Sequence, residues 1–140
     1  MADISKQTII EVPNETVYKS VSDPHNAPHY ISSITRIVSG PEGAAPSEGQ
    51  VWRAEANFMG RRSTINLCLS ALRPNQAGQF TIEGEPQATL TMRLANDEAN
   101  TRTRISILLD VPSVPAILLN MLMGGLLEAD MGRLKRILEG

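Results

Sequence analysis

Four residues carry the side chains that proton chemistry needs: His29, Tyr30, Arg53 and Glu55. Gathered in one apolar hollow, they would supply an acid, a base and oxyanion partners for a cyclisation or dehydration. His29 alone is a candidate proton shuttle, because its unperturbed pKa lies near neutrality; a surface loop position is the plainer reading. Tyr30 either hydrogen-bonds a ligand at a cavity mouth or rests as a half-buried aromatic with its hydroxyl in water. His25 and His29 are spaced i, i+4, as two imidazoles on one helix face would be. Pro24 and Pro28 break such a helix, and no carboxylate or cysteine cluster completes a site, so no metal is expected. Cys68 has no histidine beside it in the pattern and is not read as a nucleophile. There is no phosphate loop, dinucleotide fingerprint or serine elbow, and no cofactor is implied.

The elements that must position these groups are mostly strands. Thr8 to Val12 reads as the first, stopped by Pro13. Asn14 is placed to cap a short helix whose apolar face is Val17, Tyr18 and Val21. Asp23-Pro24 ends it, and Asn26 to Tyr30 predicts a second helical turn. Six more strands are expected: Ile31–Val38, Gln50–Met59, Ser63–Leu72, Gln79–Gly84, Thr89–Leu94 and Arg102–Val111. The links at Gly60, Pro74 to Gly78, Gly84-Glu85-Pro86 and Asn96 to Asn100 are short, which favours antiparallel neighbours. Ser39 to Gly49 is a longer loop, rich in Gly, Pro and Ser.

Alternation assigns the faces. Ile65, Leu67, Leu69 and Ala71 point one way, as do Phe80 and Ile82, then Leu90, Met92 and Leu94, then Thr103, Ile105, Ile107 and Leu109. One face of the sheet is therefore dry and the other wet, with Cys68 on the wet side. In the third strand Trp52, Ala54, Ala56 and Phe58 belong inside, and Arg53 and Glu55 outside. A slip of one residue would reverse this and bring Arg53 and Glu55 into the interior.

Ser113 to Gly140 reads as one long helix, apolar at its start and charged at its end, with Ser113 as N-cap. Leu127, Met131, Leu134 and Leu138 mark its buried stripe. Extended backwards, the stripe passes through Gly124, Asn120 and Ile117. Asn120 would then be the polar anchor for a ligand, or bond the backbone. Gly124-Gly125 costs about 1 kcal/mol per glycine relative to alanine, which implies close contact with the sheet or room for a ligand. Met121, Met123 and Met131, with Met59 and Met92, offer an adaptable apolar lining or plain core.

The 140 residues predict one domain spanning 1–140, of α+β class. The net charge of -2 leaves no basic footprint for nucleic acid. The single cysteine precludes an internal disulfide and fits a reducing compartment. The N-terminal residues lack a signal-peptide core, and the apolar run Val114–Leu127 is short of a membrane span. A cytoplasmic protein without an integral membrane segment is expected.

A strand, two short helices, six strands and a long C-terminal helix resemble the START-like (SRPBCC) superfamily, which includes polyketide cyclase-like proteins and the birch pollen allergen group. Three stretches carry the likeness: Val12–Tyr18 continuing through Ser22-Asp23-Pro24 to Pro28–Ile31; Glu48-Gly49-Gln50-Val51-Trp52; and Gly132–Glu139. The resemblance implies a helix-grip fold, with a curved seven-stranded antiparallel sheet wrapped around the terminal helix. It also implies a cavity between the two that holds lipids, polyketides, hormones or quinones. Fold analogy alone does not choose among these.

The resulting expectation is a binding or transport module for a small hydrophobic molecule. Its candidate ligand-binding residues are Tyr30, Trp52, Phe58, Leu67, Leu69, Phe80, Met92, Ile105, Ile107, Asn120, Met121 and Gly124. No catalytic residue is assigned on this reading. The alternatives are a cyclase or dehydratase using Tyr30, His29, Arg53 and Glu55, and a protein-interaction module with a filled interior.

Overall fold

The computed structural model describes residues 3–58, 60–84 and 87–140. Met59, expected among the cavity methionines, and the turn residues Glu85 and Pro86 lie outside the described residues. The elements run β1 (Asp3–Ile10), α1 (Asn14–Val21), a 3-10 turn (Pro24–Asn26), α2 (Ala27–Tyr30), β2 (Ile34–Ser39), β3 (Val51–Phe58), β4 (Arg61–Arg73), β5 (Ala77–Glu83), β6 (Ala88–Asn96), β7 (Thr103–Asp110) and α3 (Ala116–Glu139).

The seven strands form one antiparallel sheet in the order β1-β7-β6-β5-β4-β3-β2. Consecutive strands from β2 to β7 are neighbours, as short links require. β1 closes the far edge by pairing along its whole length with β7, Asp3 opposite Asp110 and Ile10 opposite Thr103. That pairing starts β1 earlier than the apolar run alone implies. α3 packs over the inner face beside β1 and α2. This is the helix-grip arrangement expected.

Period-two alternation holds through most of the sheet. Trp52, Ala54, Ala56, Ile65, Leu67, Leu69, Phe80, Met92, Leu94, Thr103, Ile105, Ile107 and Leu109 are all buried. Ala71 is the exception. A bulge between Leu69 and Ala71 shifts the register, so Ala71 turns outward and Leu72 half-buries instead.

Two predicted caps move. Pro13 is the N-cap of α1, and Asn14 is its first residue, buried with Nδ2 donating to the Asn75 carbonyl at 3.2 Å. Pro115, not Ser113, is the N-cap of α3. Its extended ψ of 143° delays the first helical turn to Ala116.

The buried stripe of α3 also differs from its extrapolation. Leu127, Met131 and Leu134 are inside, but the upper half is held by Met123 and Leu119. Each i+4 step advances about 40° around a helix of 3.6 residues per turn, so the stripe winds away from Gly124, Asn120 and Ile117.

Candidate functional site

The inner face of the sheet divides into a packed half and an open half. Over the packed half lies α1. Its Val17, Tyr18 and Val21 cover the region of Leu69, Phe80, Met92 and Leu94. Only about 10 Å³ of free volume remains there. Trp52 meets Phe80 edge to face, with ring centroids 6.2 Å apart. Its indole N–H donates to the Pro41 carbonyl at 2.8 Å. His25 Nε2 donates to the same oxygen at 3.0 Å, so the long loop is pinned over the tryptophan.

The open half lies at the other end of the strands, under the N-terminal part of α3. A cavity of about 100 Å³, partly open to solvent, sits there. β3 and β4 contribute Ala56, Phe58 and Ile65; β5 and β6 contribute Ile82, Ala88 and Leu90. β7 and its exit contribute Ile107, Leu109 and Val111. Ile31, Ser33 and Ile34 close one side, and Met123 of α3 forms the roof. The void exists because small residues, Ala56, Ala88 and Ser33, stand at inward positions. Among the described residues of the lining, Ser33 alone has a polar side chain, and none titrates near neutral pH.

Of the candidate ligand-binding residues, Phe58 and Ile107 line this cavity. Trp52, Leu67, Leu69, Phe80, Met92, Ile105 and Tyr30 are buried but spent on core packing. Asn120 is exposed and turns its amide back to the Ala116 carbonyl at 2.9 Å. Met121 points to solvent. Gly124 sits against β1, where a Cβ would meet Ile4 Cδ1 at 3.7 Å. Met123, the roof, was legible only as one of several helical methionines.

The candidate acid–base residues do not converge on the cavity. Arg53 is exposed on the outer face, where Glu55 pairs with Arg36 at 2.5 Å. His29 is exposed on α2. Tyr30 is buried beside Asp23 and Asp130. Burial, reinforced by both carboxylates, pushes its hydroxyl well above the ordinary phenol range, so it keeps its proton. His25 is committed to Pro41. Among the described residues no group of three or more His, Cys, Asp or Glu side chains could hold a metal ion. No helix among them is long and apolar enough to cross a membrane.

The sequence profile described as "Polyketide cyclase / dehydrase and lipid transport" matches residues 1–139. The chain belongs to this family. No curated protein matches its sequence. Solved structures share the fold at low identity. A START superfamily protein from Mycobacterium smegmatis is 18% identical, with a TM-score of 0.79, over 99% of this chain and 98% of the other. The Zhui aromatase/cyclase from Streptomyces sp. R1128 is 14% identical, with a TM-score of 0.74, over 98% and 93%. Ara h 8.0201 is 17% identical, with a TM-score of 0.64, over 99% and 95%.

In this member of the family, one wall of the cavity is tied to the roof helix through a half-buried ion pair, Asp130 inside and Arg133 at its edge. Asp130 on α3 accepts from the Ser32 backbone N–H at 3.2 Å and also bonds the Arg133 guanidinium. Arg133 Nε reaches the Tyr30 carbonyl at 3.3 Å. The pair thus holds residues 30–32, which lead directly into Ser33 and Ile34. Burial raises the Asp130 pKa, against the opposing pull of the Ser32 hydrogen bonds and the Arg133 charge.

Proposed function

We propose that the protein binds and carries a small, largely apolar molecule, whose apolar end seats in the cavity beneath Met123. One observation carries this reading: a void of about 100 Å³ whose described lining is hydrocarbon apart from one serine. An apolar void of that size costs about 2 kcal/mol relative to a filled one. An apolar guest recovers that loss and removes further surface from water. The volume is near that of a few heavy atoms, less than the roughly 150 Å³ known to hold a benzene ring. A longer molecule therefore seats its end and extends through the opening, or lifts the roof. The roof is suited to lifting, since only Leu119 and Met123 anchor the first turns of α3.

The family includes cyclases, but catalysis of that kind needs acid and base groups within hydrogen-bond reach of the substrate. His29, Tyr30, Arg53 and Glu55 do not line the cavity. That favours carriage over chemistry. A void also argues against a solid interaction module.

The test is saturable binding of the fluorescent probe N-phenyl-1-naphthylamine, with dodecanoate as displacing competitor. Native mass spectrometry of protein purified from its own host reads any resident ligand. Saturable, displaceable binding with an adduct in the native spectrum is expected. A flat titration together with a clean mass of the bare chain would overturn the proposal.

A further inference from the structure

The first turns of α3 present an apolar face that no described residue covers. Ile117 is 79% and Met121 76% exposed, and Leu118, Leu122 and Leu126 are exposed beside them. Steps of i+4 place Ile117, Met121 and Gly125 in one ridge and Leu118, Leu122 and Leu126 in the next. Gly125 is also exposed, with nothing within 4 Å of where a Cβ would stand. The chain's own packing gives no reason for glycine there, although it costs about 1 kcal/mol relative to alanine. It leaves a notch at the end of the first ridge.

The surrounding charge narrows what covers this face. No charged residue occurs from Val111 to Leu127, and the first beyond it are acidic, Glu128 and Asp130. The first basic residue of the helix is Arg133, about 24 Å along the axis from Ile117. A helix that lies on an anionic bilayer carries lysine and arginine beside its apolar face. Here that complement is missing, and the whole chain carries a net charge of -2.

We propose that this face pairs with the same face of a second copy of the chain. The two α3 helices cross about a two-fold axis near Met121 and Gly125. A two-fold contact requires a self-complementary patch, and a side-chain ridge ending in a glycine notch is one. When i+4 ridges of two helices interdigitate, the axes cross at about 50° and approach to within about 8–10 Å. Complete burial of these five side chains on both copies would withdraw at most about 1,000 Å² from water, near the threshold for a specific interface. The inner side of the same helix carries Met123, so one helix serves both the pairing face and the cavity roof.

Sedimentation velocity on the full chain tests the pairing. The 15.2 kDa chain should sediment as a dimer at micromolar concentration. Met121→Asp should be a folded monomer whose Tm no longer depends on protein concentration, since the position is exposed in the single chain and only the pairing is lost. Ile137→Asp, at the far end of the helix, should remain dimeric. In a Cys68→Ser background, Met121→Cys should cross-link to its own copy under mild oxidation. A wild-type monomer up to about 100 µM, or a dimer that survives Met121→Asp, overturns the proposal. So does a chain that stays monomeric but pellets with phosphatidylcholine–phosphatidylglycerol vesicles, which would assign the face to lipid.

Discussion

The Ser32 backbone N–H donates to the Asp130 carboxylate across 3.2 Å, joining the entry of β2 to the middle of α3. That carboxylate is buried, and desolvation holds its pKa above the ordinary value despite Arg133. The folded state therefore binds this proton more readily than the unfolded chain does. The associated stability is complete below the unfolded aspartate pKa, about 3.9. It is lost as pH rises through the raised folded value. Asp130→Asn removes this titration while keeping an acceptor for Ser32. The stability of the wild type relative to Asp130→Asn should therefore rise as pH falls from 7 towards 4. Urea unfolding at a series of pH values reads the difference, and a constant gap would show that Asp130 does not titrate as described.

Gly40 lies flat on Trp52. Its φ is +139°, and a Cβ would stand 2.4 Å from the indole Cδ1. Both facts demand glycine, and Trp52 cannot retreat because Phe80 backs it. Gly40→Ala should cost at least about 2 kcal/mol, more than the usual effect of a loop substitution. Gly43 also has a positive φ but an open surrounding, so Gly43→Ala should cost only about 1 kcal/mol. Equal midpoints in urea for the two variants would contradict the packing argument.

Met123 should set the capacity of the cavity. Met123→Trp fills the void from the roof, and Met123→Ala enlarges it. Probe affinity should fall about tenfold in the first, equivalent to about 1.4 kcal/mol. In the second it should hold or improve for a bulkier ligand, while stability drops by about 2–3 kcal/mol. Fluorescence titration beside thermal unfolding separates the effects. Unchanged affinity in Met123→Trp would place the binding site elsewhere.

Arg53 and Glu55 should be silent in binding. Both lie on the outer face, and the exposed Arg36–Glu55 pair contributes at most about 1 kcal/mol to stability. Arg53→Ala and Glu55→Gln should leave probe affinity within about twofold. A larger loss in either would mean that the outer face participates, contrary to the cavity reading.

Strand faces were legible because burial on one side of a sheet imposes a period of two. Thr103, Ile105, Ile107 and Leu109 show it without exception, and Trp52 and Ala54 resolved the orientation of Arg53 and Glu55. Ala71 was misread because a bulge changes parity without any local sequence mark. The upper stripe of α3 was misread for a related reason. Heptad-like extrapolation ignores the winding of i+4 steps, and Met123 and Leu119 were available at that spacing. The open half of the groove was the least legible. It depends on where α1 lays Val17 and Val21, which is a tertiary decision. Gly124-Gly125 hinted at free volume in the wrong place, and the small residues that line the void, Ala56, Ala88 and Ser33, carry no mark that sets them apart.

Ser33 should decide how polar a ligand the cavity takes. Among the described lining residues its hydroxyl is the only side-chain hydrogen-bonding group, and its backbone carbonyl is already used by the Asn57 N–H at 2.8 Å. A ligand with one oxygen near its buried end would find a single partner there. A pure hydrocarbon would gain nothing from it and would leave the hydroxyl to water. Ser33→Ala should therefore weaken an alcohol or carboxylate ligand by about 1 kcal/mol, near fivefold, and leave a hydrocarbon of equal length unchanged or slightly tighter. Paired competition titrations with decanol and decane read this directly. Equal losses for both would show that Ser33 acts through the shape of the wall and not through its hydroxyl.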